Sequence, residues 1–206
     1  MLVAHRGVWG KRFENRVEHI RAAHRKVGAV EVDIRYNSDR QLMLCHDKTD
    51  ANFRDTEPFH SLVACEEPMN IMLDMKPCGG QQAVSMAEDV CRIIERSSHT
   101  WKLCSFDQRC VDHLVKLDHP WDVGMLSSGV TDWIMNNPPI DFVSLDHECV
   151  DVDDIDALQE QGIRVYLWVA DMWGHYPPHV DGLIKNYVYA DLSVLDDYSK
   201  ASESTT

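Results

Sequence analysis

The sequence is poor in positive charge and has no long apolar run. Lys and Arg total 20 against 34 Asp and Glu, which gives a formal net charge of -14 at pH 7. Nucleic acids and anionic membranes both attract an excess of Lys and Arg, so neither is expected to be the main partner. No apolar stretch approaches the roughly 20 residues that cross a bilayer, so stable membrane insertion is not expected either.

Paired cysteine motifs are also missing. The seven cysteines are odd in number, and none forms the C-x-x-C pair that would indicate zinc or a redox site. Most lie in apolar runs, so we interpret them as reduced core residues. The first apolar run begins at Leu2 and leaves no room ahead of it for a signal peptide, which favours a cytoplasmic protein.

The length of the chain limits the choice of fold. With 206 residues and 44% hydrophobic content, the chain can bury a substantial core and lies near the lower limit for a closed (β/α)8 barrel. We expect a single domain at 1–198. The last residues, 199–206, are polar and are predicted to form a disordered tail.

One stretch, AVEVDIRYNSDRQLMLCHD at 29–47, contains the most informative pattern. Apolar and polar residues alternate in its first half, and since side chains on a strand change face at every residue, Glu31 and Asp33 share one face. Like charges this close are costly in a cavity unless a cation lies between them, so the pattern favours a divalent metal site. The alternative is that both carboxylates lie on the solvated face of an edge strand.

The second half of the stretch predicts a hairpin. The polar residues 37–40 can turn the chain, and the strand at 41–45 then delivers His46 and Asp47. A group able to transfer protons is therefore expected close to the acidic pair.

Eight apolar strand patterns alternate with helical patterns along the chain. The strands read LVAH, EVDI, IMLDM, KLCSF, VGML, FVSL, VYLWV and GLIKN, with the seventh expected to reach Ala170. The helices are predicted at about 15–27, 82–97, 110–117, 131–136 and 152–161, the first capped by Asn15 and ended by Gly28. This count is what a closed parallel (β/α)8 TIM barrel requires, with the strand at 41–45 left outside it as a hairpin partner.

Four polar elements occur in a fixed order: His5-Arg6-Gly7, Glu14-Asn15, Gly28-x-x-Glu31-x-Asp33 and His46-Asp47. In these elements the chain resembles the glycerophosphodiester phosphodiesterase family, whose fold is the TIM barrel. The resemblance runs from about His5 to Asn186. Family members usually have a longer insertion after the second strand, so we expect a compact barrel with a shortened insertion and an open mouth.

The resemblance implies a role for each matched residue. His5 and His46 are expected to act as acid and base, Arg6 and Lys76 to bind the substrate phosphate, and Glu31, Asp33 and Asp74 to bind Mg2+ or Ca2+. The family has Glu where this chain has Asp74, which is one methylene shorter. Glu14, Asn15 and Trp168 are further candidates for orienting ligand groups or contacting substrate, although Asn15 is also explained as a helix cap and Trp168 as a core residue.

The implied function is metal-dependent hydrolysis of glycerophosphodiesters, a reaction of lipid metabolism, to an alcohol and glycerol 3-phosphate. The expected partner is a small-molecule glycerophosphodiester or lysophospholipid, and the oligomeric state is left open. One alternative is cleavage like that of lysophospholipase D or sphingomyelinase D, in which a hydroxyl of the substrate attacks and a cyclic phosphate forms. Another is a degenerate family member that binds a phosphate ligand without turning it over.

Overall fold

Eight parallel strands form a closed barrel in a computed structural model that describes residues 1–7, 13–48, 56–136, 139–168 and 179–186. The strands are β1 (Leu2–His5), β2 (Val30–Tyr36), β3 (Leu42–Leu44), β4 (Glu57–Pro58), β5 (Asn70–Met75), β6 (Thr100–Ser105), β7 (Asp122–Ser127), β8 (Phe142–Asp146), β9 (Arg164–Trp168) and β10 (Gly182–Lys185). The described helices are α1 (Val17–Val27), α2 (Phe59–Val63), α3 (Gly80–Ile94), α4 (Gln108–Leu114), α5 (Asp132–Asn136) and α6 (Val152–Glu160). The predicted tail and the end of the seventh barrel strand, 169–170, lie outside the described residues.

The barrel closes at β1, which pairs in parallel with β10 on one side and with β2 on the other. The remaining barrel strands follow in the order β2, β5, β6, β7, β8, β9 and β10. The fold is therefore the predicted (β/α)8 TIM barrel. Of the described helices, none is both long and apolar enough to cross a bilayer.

The hairpin prediction is also confirmed, because β3 runs antiparallel to β2 and lies outside the barrel. Two short elements were not predicted: β4 pairs with β3, and α2 follows it directly. Phe59 and Leu62 of α2 are fully buried, so this short helix packs its apolar side against the sheet.

The start of α1 differs from the prediction. The residue that caps the helix is Arg16, and Asn15 is buried with a φ of 55°, in the left-handed region that Asn tolerates better than most residues. Its side chain binds Asp33 instead of capping the helix, as described below. The end of the helix is as predicted, since Gly28 has a φ of 84° and donates its N–H to the carbonyl of His24.

The barrel strands have an outer and an inner face. The outer face carries residues such as Val32, Ile34 and Leu73, which pack against helix residues in the main core. A separate inner cluster fills the barrel and consists almost entirely of strand residues: Val3, Ala29, Met72, Cys104, Leu126, Phe142, Tyr166 and Ile184. Because side chains alternate along a strand, the same inner face of β2 and β5 also carries the acidic residues Glu31, Asp33 and Asp74. The seven cysteines are free thiols.

Gly124 makes room for an aromatic ring inside the barrel. A Cβ at this position would lie 2.5 Å from the nearest ring carbon of Phe142, which packs edge-on against Tyr166. We predict that Gly124→Ala lowers the free energy of unfolding by roughly 1–3 kcal/mol, because overpacking displaces this ring pair. Urea unfolding followed by circular dichroism measures the change.

Gly129→Ala is the matched control, because its Cβ would meet no atom closer than the carbonyl oxygen of Cys149 at 3.4 Å. Equal stability of the Gly124→Ala and Gly129→Ala proteins would contradict tight packing at the inner cluster.

Candidate active site

A cavity of about 210 Å³ opens where the barrel strands end. It is lined by residues of the first three barrel strands and the loops that follow them, and by apolar residues from the rest of the barrel: His5, Arg6, Glu31, Asp33, His46, Asp74, Lys76, Phe106, Leu126, Trp168 and Ile184. The carboxyl ends of the strands are where TIM barrels hold their functional residues. The structure thus brings together eight of the ten site residues predicted from the sequence, and the other two, Glu14 and Asn15, contact members of this group.

Three buried carboxylates lie at the base of the cavity. Asp33 and Asp74 are direct neighbours in the register of β2 and β5, and one oxygen from each of Glu31, Asp33 and Asp74 lies within 4.8 Å of the other two. Burial, together with repulsion from Asp33 and Asp74, raises the pKa of Glu31 well above its ordinary value. Burial also raises the pKa of Asp74 to about 6, with Lys76 acting against the rise and Asp33 adding to it. Because Glu31 and Asp33 are buried and β2 lies between β1 and β5, the alternative that they lie on the solvated face of an edge strand is excluded.

The trio has the chemistry of a site for a hard divalent cation. The atoms that the trio offers to a metal are carboxylate oxygens, which Mg2+ and Ca2+ prefer as ligands. One oxygen of Asp74, Oδ1, is buried and has no hydrogen-bond partner among the described residues, so it is free to coordinate an ion. The shorter Asp74 side chain reaches the cluster because β5 is hydrogen-bonded directly beside β2.

Asp33 is the most strongly held of the three carboxylates. Arg6 Nε lies 3.1 Å from its Oδ2, and Lys76 Nζ lies 3.1 Å from its Oδ1. Asn15 donates its side-chain N–H to Oδ2 at 2.9 Å and accepts the backbone N–H of Asp33 at 2.9 Å. Burial alone would raise the pKa of Asp33, but Lys76, Arg6 and the Asn15 hydrogen bond keep it below its ordinary value. The role of Asn15 is thus to fix a carboxylate, which corrects its interpretation as a helix cap.

The loop after β1 is shaped to hold Arg6 over the trio. Arg6 and Gly7 have φ angles of 55° and 81°, and a Cβ on Gly7 would lie 3.0 Å from the backbone of Ile20 in α1. In this turn the backbone N–H of Arg6 donates to Glu31 at 3.1 Å, and its guanidinium pairs with Glu14 at 2.9 Å. Glu14 therefore acts on the site by orienting Arg6.

The two histidines line the cavity from different elements, His5 at the end of β1 and His46 in the loop after β3. His5 is bonded through Nδ1 to the side chain of Asn186, and its Nε2 lies 3.7 Å from Glu31 Oε2. Burial and the nearby Arg6 lower the pKa of His5, so its ring is neutral at pH 7 and able to accept a proton. His46 is 37% exposed, and its Nδ1 lies 2.8 Å from Asp47 Oδ1.

Lys76 lies between the acidic trio and an aromatic rim formed by Phe106 and Trp168. Besides its contact with Asp33, its ammonium is paired with Asp74 and lies 5.6 Å from the centre of the Phe106 ring. Phe106 packs edge-on against Trp168, with 5.7 Å between the ring centres, although it is 48% exposed. Trp168 is fixed by its Nε1, which donates to the carbonyl of Ser144 at 3.1 Å.

Some residues that line the cavity or contact its lining were not predicted from the sequence. Phe106 stands directly after β6 in a Ser-Phe element, and Asn186 ends the last strand pattern, so position at a strand end was the available signal for both. Leu126 and Ile184 carried no signal, because apolar residues on strands are ordinary core residues.

Comparison with known proteins supports the fold. No protein-family model matches the chain, and no curated protein matches it in sequence. A phosphodiesterase from Oleispira antarctica, solved in complex with the product sn-glycerol-3-phosphate, has a TM-score of 0.78 at 15% identity and covers 95% of this chain and 96% of its own. A glycerophosphodiester phosphodiesterase from Parabacteroides distasonis has a TM-score of 0.74 at 13% identity, with 96% and 97% covered. One from Agrobacterium tumefaciens has a TM-score of 0.56 at 16% identity, with 90% and 94% covered.

A metal titration tests the acidic trio. We predict that Mg2+ or Ca2+ raises the Tm of the wild-type protein by a few degrees, because the ion binds only the folded site and relieves repulsion among the three carboxylates. Glu31→Gln and Asp74→Asn each remove a ligand charge and are expected to reduce this shift severalfold, as measured by differential scanning fluorimetry after treatment with a chelator.

Asp118→Asn serves as the control, since Asp118 is exposed and precedes β7 at the opposite end of the barrel. A metal-induced shift in Glu31→Gln as large as in Asp118→Asn would argue against metal binding at this site.

Proposed function

We propose that this chain is a member of the glycerophosphodiester phosphodiesterase family and hydrolyses glycerophosphodiesters to an alcohol and glycerol 3-phosphate. The observation that carries the proposal is the convergence, in one barrel-mouth cavity, of two histidines, two cations and three buried carboxylates. The fold shared with solved phosphodiesterases, one of which holds sn-glycerol-3-phosphate, agrees with it.

The substrate phosphate would bind against Arg6 and Lys76. Both cations already face the acidic trio, so their positions are fixed before substrate arrives. A divalent ion held by Glu31, Asp33 and Asp74 would supply further positive charge for the phosphate oxygens. Stabilising the charge that builds up on these oxygens is often the largest contribution to catalysis of this kind.

The two imidazoles would move the protons. Cleavage of a phosphodiester requires a base for the attacking water and an acid for the departing alkoxide. The neutral ring of His5 is bound at Nδ1 by Asn186 and turns Nε2 toward Glu31, while His46 is bound at Nδ1 by Asp47. Each ring therefore has one nitrogen fixed by a neighbour, which orients the other nitrogen for proton transfer.

A second candidate function is favoured by the aromatic rim. Phe106 and Trp168 offer an exposed apolar surface beside Lys76, on which an acyl chain could pack. This observation supports lysophospholipase D or sphingomyelinase D-like cleavage, in which a substrate hydroxyl attacks phosphorus and a cyclic phosphate forms.

Two features of the site favour an enzyme over the binding-only alternative. Asp74 takes its place beside Asp33 despite its shorter side chain. The last strand pattern, GLIKN, ends in Asn186, whose side chain binds His5. We also propose Mg2+ or Ca2+ as the cofactor, a single domain at 1–198, and lipid metabolism as the setting; cytoplasmic localisation stays a prediction from the sequence.

The histidines are tested by substitution. We predict that His5→Asn and His46→Asn each lower kcat on glycerophosphocholine by roughly 100- to 10,000-fold, the range typical of losing a general acid or base. The metal-induced rise in Tm should persist, because neither ring belongs to the acidic trio. His60→Asn, at an exposed histidine of α2, is the control and should retain wild-type kcat. Activity of His46→Asn equal to that of His60→Asn would refute the assignment.

Phosphorus NMR separates the candidate reactions. With Mg2+ or Ca2+ present, we predict that glycerophosphocholine yields glycerol 3-phosphate as the first phosphorus-containing product, because water attacks the phosphate. A cyclic phosphate formed from lysophosphatidylcholine would instead establish the second candidate. Absence of turnover of either substrate, in a protein that binds metal, would leave the binding-only function.

A further inference from the structure

A second cavity, of about 410 Å³, lies beside the first; we call it the side cavity. Its wall is formed by residues at the ends of β2, β5 and β6, by the loops after β5 and β6, and by the start of α4: Arg35, Met75, Lys76, Pro77, Ser105, Phe106, Asp107, Gln108 and Arg109. Lys76 and Phe106 line both cavities, so these two side chains form the boundary between the side cavity and the cavity of the acidic trio. The side cavity therefore lies within reach of a substituent on the same substrate.

Most charges around the side cavity are already paired. Asp107 accepts hydrogen bonds from Arg109 Nη2 at 2.6 Å and from Arg109 Nε at 2.9 Å. The ammonium of Lys76 is turned toward Asp33 and Asp74 in the other cavity. Among the described residues that line the side cavity, Arg35 is therefore the cation that has no carboxylate in direct contact.

Arg35 is a half-buried cation that is bonded only to uncharged groups. Its guanidinium donates to the carbonyl of His46, to the carbonyl of Lys76 at 3.4 Å and to Cys78 Sγ at 3.6 Å. Among the described residues, no carboxylate oxygen lies within 4 Å of its nitrogens. Carbonyls fix the direction of the guanidinium but give it no carboxylate in direct contact. Its charge acts on Asp74 only from a longer distance, where it slightly opposes the rise in the pKa of that buried carboxyl. The guanidinium can therefore still form a direct, charge-assisted pair with a bound anion.

The position of Arg35 follows from the strand pattern. It is the third polar residue of the alternation on β2, after Glu31 and Asp33, and so it lies on the same face one step nearer the mouth. In a chain with a net charge of -14, carboxylates are in excess over cations, so a guanidinium in a cavity without a carboxylate in direct contact is unusual. Its planar fork fits carboxylate and phosphate groups.

We propose that the side cavity binds a second anionic group, a carboxylate or a phosphate, carried by the alcohol portion of the substrate, and that Arg35 is its main ligand. The inference rests on the proposed phosphodiesterase function and narrows its substrate class to glycerophosphodiesters with an acidic alcohol. Alcohols that carry only a cationic group, such as choline or ethanolamine, leave Arg35 without a partner.

Matched substrate pairs test the proposal. Glycerophosphoserine differs from glycerophosphoethanolamine by one carboxylate, and glycerophosphoinositol 4-phosphate differs from glycerophosphoinositol by one phosphate. We expect the anionic member of at least one pair to have a kcat/KM about tenfold higher, as a charge-assisted hydrogen bond provides. The serine pair reports on a carboxylate and the inositol pair on a phosphate, so the two arms distinguish the sources of the anion.

Variants at position 35 identify the group responsible. Arg35→Gln should bring the ratio of kcat/KM within the preferred pair close to one, while Arg35→Lys keeps the charge and should retain part of the preference. Because the ratio compares two substrates of one protein, a general loss of activity or stability cancels. Arg25→Gln is the matched control, since Arg25 is an exposed arginine of α1 paired with Glu67, and its ratio should equal that of the wild type.

The result that would overturn the side-cavity proposal differs from the result that would overturn the proposed function. Turnover of all four substrates with ratios near one, or a preference that survives Arg35→Gln, overturns the side-cavity proposal and leaves the phosphodiesterase function standing. No turnover of any of the four substrates, with metal present, overturns both.

Discussion

The site depends on three carboxylates that the barrel forces into one buried volume. Glu31 and Asp33 share a face because they are two residues apart on β2, and Asp74 joins them because β5 pairs with β2 at that level. Two cations, Arg6 and Lys76, face the trio, and Glu14 takes up part of the charge of Arg6. Negative charge therefore remains in excess, and repulsion from Asp33 and Asp74 adds to the effect of burial in raising the pKa of Glu31. A divalent ion is the partner that would remove it.

Closure of the barrel brings Asn186 and Glu31 into contact with His5. β1 is held between β10 and β2, so residues from both ends of the chain meet at His5. Asn186 binds the ring from one side and Glu31 lies on the other. Below this polar layer the inner apolar cluster fills the barrel, which keeps water from reaching the carboxylates from beneath. The polar groups at the mouth thus lie on a rigid base, which favours catalysis by preorganised charge.

The sequence was sufficient for those parts of the site that depend on local periodicity. The alternation on β2 placed Glu31 and Asp33 on one face, and the polar turn at 37–40 placed His46 near them, because both features depend on neighbouring residues alone. The function of Asn15 could not be read in this way. It depends on a left-handed backbone and on a strand that begins 15 residues later, and the same residue type is an ordinary helix cap. The side cavity was equally hidden, since it exists only where the end of β2 meets the loops after β5 and β6.

If the side cavity binds an anionic group, Arg35 would connect substrate recognition to the proposed catalytic groups. Its guanidinium is bonded to the carbonyls of His46 and Lys76, which stand on two different loops at the mouth. An anion held by the same guanidinium would therefore restrain His46, the proposed proton-transfer group, and Lys76, the proposed phosphate ligand. Binding energy from a group remote from the scissile bond would then act on the positions of the reacting groups, and so on kcat as well as on KM. In the proposed reaction, a single arginine on the strand of Glu31 and Asp33 would in this way couple the choice of alcohol to the rate of its release.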